Sequence, residues 1–324
     1  MKKICPLLLI ALLVLSGCWG GDKDKDKNVL QVALSSRLST LDPALSYDTV
    51  SAQVVYQIHE TLFEYEYLLR PYTLRPLLAK EMPAISENGK VYTIKIKEGV
   101  YFHEHESLKS KRELTAHDFI TQIKRLAYLP TQSNGWWLFE NKVEGLDDFR
   151  KNARNLKDFK SLSVKGLKAL DDHTLQIKLK RPYPQLTFAL AMSFTAPAPI
   201  ELVLSSENDL SSAPIGTGPF KLSQWNKNLA VELTANESYR QEEYPKTGDR
   251  VAYSGKLLQD AGKKIPFLNG IKFHIMPEAR PRMQNFLKKN IHFVTLTKDY
   301  FQAALNYRGE LSEEFKSKKI ELQI

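Results

Sequence analysis

The chain has 324 residues, 43% of them hydrophobic, enough for one large or two medium domains with ordinary apolar cores. Its 46 Lys and Arg outnumber 37 Asp and Glu, a formal net charge of +9, yet the two signs interleave along the whole chain. Without a basic arm or an arginine-rich stripe there is no basis for nucleic-acid binding as a primary role, and the excess instead favours anionic surfaces or acidic ligands.

At the start, Lys2 and Lys3 precede a wholly apolar run over residues 7–15, and Leu15-Ser16-Gly17-Cys18 follows at once. The run is short of the ~20 residues a helix needs to cross a hydrocarbon core, so residues 1–18 read as a bacterial lipoprotein signal peptide. Cys18 becomes the lipidated first residue, and its acyl chains tie the protein to a membrane at roughly 0.8 kcal/mol per buried CH₂. The other cysteine, Cys5, leaves with the signal, so no disulfide framework or cysteine-rich metal site is expected in the mature protein. Residues 19–28, with alternating Asp and Lys, read as a solvated tether.

The folded part opens with an apolar strand over residues 29–34. Val54, Val55, Ile58 and Leu62 recur at helical spacing, a stripe on a helix with Ser51 as candidate cap. Tyr92, Ile94 and Ile96 alternate with Thr93, Lys95 and Lys97, as do Leu175, Ile177 and Leu179 with polar neighbours, predicting half-buried strands in a sheet with one wet face. Between them Thr115 and Asp118 fit a capping box, ahead of a stripe of Phe119, Ile120, Ile123, Leu126 and Ala127. Pro182, Pro184, Pro197 and Pro199 bracket an apolar segment where the path is expected to pass between domains. Val231 with Leu233, and Ile271 with Phe273 and Ile275, predict two more strands, and the mixture of elements argues an α/β architecture.

No catalytic set assembles. His103-Glu104-His105 would place two imidazoles on one face of a strand, but no third metal ligand is assignable. There is no Gly-x-Ser-x-Gly elbow, and Gly216-Thr217-Gly218 lacks the rest of a phosphate loop. Trp136 and Trp137 follow the turn signal Asn134-Gly135; adjacent aromatics cannot both face one core from a strand, so one is a candidate to line a ligand cleft, partial burial at a domain edge being the alternative.

Six segments in order resemble the extracellular solute-binding proteins, family 5, of peptide and nickel ABC transporters. They are Leu41-Asp42-Pro43, Glu60-Thr61-Leu62, the strand from Tyr92 to Val100, Leu114-Thr115-Ala116-His117-Asp118-Phe119, the turn Ala169-Leu170-Asp171-Asp172-His173-Thr174-Leu175, and Gly216-Thr217-Gly218-Pro219-Phe220. The glycines of the last segment are read as permitting backbone conformations closed to other residues.

The resemblance implies a type II periplasmic-binding-protein fold. Residues 29–61 and 199–297 would form a discontinuous α/β lobe, residues 62–198 a smaller inserted α/β domain, and residues 298–324 the start of a crossing to a second lobe. That C-terminal lobe would be missing, and residues 319–324, which alternate in polarity, would be a strand entering it. In the cleft Tyr47, Asp48, Thr49, Trp136, Trp137, Thr295 and Thr297 would meet the ligand. The implied protein is a monomeric, lipid-anchored envelope receptor without enzymatic activity or cofactor that passes peptides to permease subunits, and without its second lobe it would bind weakly or not at all. Departures are Asn290-Ile291-His292 where Glu-Ile-Asp is usual, Glu237 in place of a proline, and a longer charged loop over residues 107–113. Two other readings stay open: an envelope metal-dependent hydrolase using His103 and His105, and a transport-independent signalling or structural relative.

Overall fold

The computed structural model describes residues 28–108, 111–211 and 213–322. The predicted signal peptide, Cys18 and all of the tether but Asn28 lie outside the described residues. In chain order the first elements are β1 (Val29–Leu34), α1 (Thr49–Ile58), β2 (Phe63–Tyr65), β3 (Leu74–Pro76), β4 (Ala84–Ser86), β5 (Val91–Lys95) and α2 (Ala116–Ala127). There follow β6 (Leu167–Asp171), β7 (Thr174–Lys178), β8 (Phe220–Asn226), β9 (Ala230–Ala235), β10 (Glu242–Glu243), β11 (Lys264–Ile265) and β12 (Gly270–Ile275), with short helices between.

Two four-stranded sheets organise the chain. One runs β1-β12-β9-β8, with β1 parallel to β12 and the remaining pairs antiparallel. Its inward side chains, Val32, Phe220, Val231, Leu233, Ile271 and Phe273, pack against Val54, Val55 and Ile58 of α1. The second sheet, β4-β5-β7-β6, is wholly antiparallel. Tyr92, Ile94, Leu175 and Ile177 on one face join Phe119, Ile123 and Leu126 of α2 in the largest cluster, so the alternation read in the sequence corresponds to one buried face. Leu202, Val203 and Leu210, although past residue 199, pack in this cluster too. A third, small cluster gathers Met283, Ala304 and Phe315.

The helix caps follow local chemistry. α1 is capped by Asp48 rather than by Ser51: the Asp48 carboxylate accepts the Ser51 N–H at 2.7 Å, and Ser51 already sits inside the first turn. Ser51 Oγ instead accepts the N–H of Ser39 at 2.9 Å, and Ser39 Oγ donates to Asp48 at 2.5 Å. Such a cap contributes about 1 kcal/mol. For α2 the expected box is present: Thr115 is the cap, and the Asp118 carboxylate accepts the Thr115 N–H at 2.8 Å.

Three other expectations are corrected. Gly216 and Gly218 do not adopt left-handed backbone; a Cβ on them would lie 2.1 and 2.6 Å from the carbonyl oxygen of Ile58, so close approach demands glycine. His103 and His105 lie outside any strand. The end of the chain does not form a strand over residues 319–322, which follow the helix Glu313–Ser317 as turn and coil, and residues 323–324 lie outside the described residues.

Candidate functional site

Tyr47 follows a turn built by Asp42, whose backbone oxygen accepts the N–H groups of Leu45 and Ser46 and whose carboxylate accepts that of Ala44. The turn presents Tyr47 to solvent, 70% exposed, one residue before the α1 cap. A second segment is tied to it: Ser133 Oγ donates to Ala44 O at 2.5 Å and Asn134 Nδ2 to Leu45 O at 3.2 Å. The next residues form a single 3-10 turn, Trp136–Leu138. This geometry answers how adjacent tryptophans divide: Trp136 is half-buried against the large cluster with the Arg150 guanidinium 4.8 Å from its ring, while Trp137 is 50% exposed. Phe194 lies under both segments, its ring 6.3 Å from that of Tyr47 and in close contact with Gly135.

Tyr47 and the Trp136–Trp137 turn therefore share one frame. Asp48 stands beside them with its carboxylate engaged as the cap, and Thr49 is exposed in the first turn of α1. Thr295 and Thr297 are elsewhere. Their neighbours Val294 and Leu296 pack on the third cluster, and no hydrogen bond or ring contact joins either threonine to the Tyr47 group. The Thr297 hydroxyl is buried without a partner. His292, one of the departures, completes the free edge of β1: its N–H donates to Gln31 O, and its Nδ1 accepts the Gln31 N–H, both at 3.0 Å.

At the other end of α1 lies a polar seam that sequence reasoning did not assemble. Glu60 accepts from Arg240 at 2.6 and 2.8 Å, from Tyr239 Oη at 2.8 Å and from Thr217 Oγ1 at 2.9 Å. Arg240 Nε and Lys97 Nζ both donate to Glu242. Burial alone would lower Arg240, but the facing Glu60 carboxylate holds its pKa above the ordinary value; burial and the same carboxylate raise Tyr239. Behind them His103 Nε2 bonds Gly218 O at 3.0 Å. His59 is buried with neither ring nitrogen partnered, and burial, then His103, push its pKa down to about 3. A cavity of about 370 Å³ opens here, lined by His59, Glu60, Glu64, Tyr65, Arg75 and Tyr239 among others.

The signal for this seam was available. Glu60 and the Gly-Thr-Gly segment were singled out as motifs, but their partners lie some 150 residues apart in the chain, a pairing that periodicity cannot report. The two histidines of His103-Glu104-His105 do not converge, since His105 Nδ1 accepts the Ser107 N–H. Among the described residues no group of three or more His, Cys, Asp or Glu side chains is placed to hold a metal ion, and no helix is long and apolar enough to cross a membrane.

Comparison with known proteins identifies the family. The chain is 33% identical over 171 residues to the oligopeptide-binding protein AmiA of Streptococcus pneumoniae, covering 51% of this chain and 25% of that protein. It is 27% identical over 241 residues to the glutathione-binding protein GsiB of Escherichia coli, covering 73% and 39%. The fold matches the substrate-binding domain of an oligopeptide ABC transporter from Bacillus anthracis with a TM-score of 0.66 at 21% identity, covering 86% of this chain and 47% of that one. The matched region thus spans less than half the length of each of these relatives. The profile described as "Bacterial extracellular solute-binding proteins, family 5 Middle" matches residues 73–319, and the chain belongs to that family.

Proposed function

We propose that the chain serves peptide uptake in the bacterial cell envelope, contributing one wall of a peptide-capturing clamp that delivers its ligand to a membrane permease. The observation that carries this reading is the hydrogen-bonded frame that holds Tyr47 exposed against Phe194 with exposed Trp137 on the adjoining turn, in a family whose matched relatives are named for binding oligopeptides and glutathione. Aromatic rings held at low entropic cost suit ligands with varied side chains, and backbone hydrogen bonding from a second wall would supply the remaining affinity. In this reading residues 29–61 and 199–297 form the first lobe, residues 62–198 the inserted domain, and Thr295 and Thr297 meet the ligand from the end of the first lobe. Lipid on Cys18 holds the protein at the membrane, and replacing it with serine is expected to release the protein into the soluble fraction.

The test is a titration of the purified chain with tri- to hexapeptides, read by tryptophan emission and calorimetry. One wall desolvates a charged backbone poorly, so a saturable response with Kd near ~1 mM is expected. Tyr47→Ala should weaken it about fivefold, the loss of about 1 kcal/mol of aromatic contact. No saturable response in the parent chain overturns peptide capture, and micromolar affinity overturns the one-wall description.

A further inference from the structure

Asn28, the first described residue, is fastened to the fold beside a group of exposed rings. Its carbonyl accepts the Asn269 N–H at 3.0 Å, and its side-chain amide donates to the Phe267 carbonyl. Phe267 is 41% exposed; its ring lies 5.8 Å from that of Tyr244, which in turn lies 6.1 Å from that of Tyr67, 65% exposed. Backbone bonds hold the two segments in place: Tyr244 N–H donates to Lys263 O at 2.8 Å, and Asp249 N–H to Leu68 O at 2.7 Å. Rings grouped at a surface with a polar rim mark a place of contact.

The rim is positive once internal pairs are set aside. Within residues 243–267 Lys246 pairs with Glu243 and Lys263 with Asp260, while the Asp249 carboxylate caps the helix Arg250–Ser254 by accepting the Ala252 N–H at 2.9 Å. Arg250, Lys256 and Lys264 are exposed and form no ion pair among the described residues. Glu66 and Arg70, in the loop that carries Tyr67, offset each other in charge.

The chain before Asn28 says what this face meets. Ten residue steps separate Asn28 from Cys18, a reach of at most about 35 Å, so lipid on Cys18 keeps a bilayer close to the Asn28 end of the fold. The Tyr47 frame is not at that end: β1 carries the chain six residues, about 20 Å, from Asn28 before the turn that presents Tyr47. We propose that the face formed by Tyr67, Tyr244 and Phe267, with Arg250, Lys256 and Lys264 around it, docks on the anionic headgroup layer of the membrane, a proposal that rests on the lipid anchor at Cys18. A tyrosine suits a bilayer interface because its ring is apolar and its hydroxyl stays wet. Each basic side chain near an anionic surface strengthens attachment about fivefold. The short tether holds the face at an effective concentration near ~1 mM, so a contact too weak to retain a chain without lipid is enough to orient one that carries it. Docked in this way, the protein leaves the Tyr47 frame uncovered.

The test uses the full chain purified with its lipid, carrying Thr247→Cys labelled with a polarity-sensitive dye; Cys5 leaves with the signal and Cys18 is acylated, so the new thiol is the one labelled. In vesicles containing phosphatidylglycerol the emission is expected to move to the blue, and in vesicles of phosphatidylcholine alone, or in salt of about 1 M where the Debye length is about 3 Å, to return to that of water. A dye on Leu170→Cys, at the exposed edge strand β6 of the second sheet, should report water throughout. Tyr67→Ser with Phe267→Ser should lower the docking equilibrium at least about tenfold, and Lys264→Ser, at an exposed position that does not threaten folding, about fivefold. Both should leave the peptide response at the parent's level. The mass of the purified chain separates the two readings: a chain without acyl groups overturns the anchor and the docking with it, whereas a lipidated chain whose dye at residue 247 stays in water overturns the docking alone. Docking is also overturned by equal blue shifts on both kinds of vesicle, by equal shifts at residues 247 and 170, or by variants that dock like the parent.

Discussion

Asp42 and Arg125 form a two-pronged ion pair, at 2.5 and 3.0 Å, with both side chains wholly out of solvent. Arg125 lies on α2 and Asp42 precedes α1, so the pair joins the turn that presents Tyr47 to the helix of the second sheet. All five guanidinium hydrogens are spent: Nε on Asn208 Oδ1, Nη1 on Asp42 and Gln122, Nη2 on Asp42 and the Asn208 carbonyl. A lysine presents one cationic centre and cannot reproduce the planar fork. Arg125→Met leaves a buried carboxylate uncompensated and is expected to cost about 3–5 kcal/mol in urea unfolding, with Arg125→Lys close behind. Adding Asp42→Asn to Arg125→Met should recover part of the loss; a double variant as unstable as the sum of the singles would count against this account.

This pair also marks what the sequence could not disclose. Asp42 was visible as part of Leu-Asp-Pro, and α2 as an amphipathic helix, but Arg125 beside Leu126 reads as an ordinary charge until a tertiary partner is known. The strands were legible because one buried face imposes a period of two, as at Tyr92, Ile94 and Ile96. The cap of α1 was misread because Asp48 was taken for a ligand contact and Ser51, three residues on, fits the same chemistry. The alternation at residues 319–324 predicted a strand, yet residues 319–322 pair with no strand among the described residues, and pattern alone does not make a sheet. The division of Trp136 from Trp137 followed from a 3-10 turn, whose tighter winding the sequence did not announce.

The Gly216 and Gly218 segment predicts a contrast between glycines. At Gly218 a Cβ would meet Ile58 O at 2.6 Å and Gln57 O at 2.7 Å, both backbone atoms that cannot swing aside, and Gly218 N–H donates to the same Ile58 oxygen at 2.9 Å. Gly218→Ala is expected to destabilise by about 1–3 kcal/mol through forced separation of α1 from the loop. Gly99, at φ +70° with open space around it, should lose about 1 kcal/mol on change to Ala and less on change to Asn, which tolerates left-handed backbone better. Equal responses of Gly218 to Ala and Asn at about Gly99's level would show that close approach is not the constraint.

Acid should destabilise the protein through His59. Its folded pKa of about 3 lies below the ordinary 6.5, so unfolding takes up a proton at any pH between the two, and stability falls as pH drops through that window. The groups acting on it are His103, Asp42 and Arg125, with burial the largest influence. His103, also lowered by burial, acts in the same direction. Asp118 opposes: burial pushes it up to about 6 against the pull of Arg112, so it gains stability as pH falls below that value. Comparing the parent with His59→Phe cancels both. Between pH 7 and 5 the parent should lose about 2 kcal/mol more than the variant, measured by denaturant midpoints. Parallel pH profiles would place His59 in contact with water.

The frame that holds the tryptophans has its own steric test. Gly135 has ordinary backbone angles, φ −89° and ψ 0°, so nothing in its own conformation demands glycine. What demands it is Phe194: a Cβ on residue 135 would sit 2.7 Å from that ring, and Phe194 is itself buried and cannot rotate out. Gly135→Ala is therefore expected to cost about 1–3 kcal/mol and to lift the Trp136–Leu138 turn from its seat, shifting tryptophan emission to the red. Because Phe194 also lies against Tyr47, the same substitution should weaken the peptide response, whereas a purely local fault would leave it intact. Phe194→Leu removes ring atoms from the point of collision, so the double variant should regain stability over Gly135→Ala alone while the peptide response, which needs the ring beneath Tyr47, stays low. Recovery of both together would mean that Phe194 only fills space, and recovery of neither would mean that Gly135 is held for a reason other than this contact.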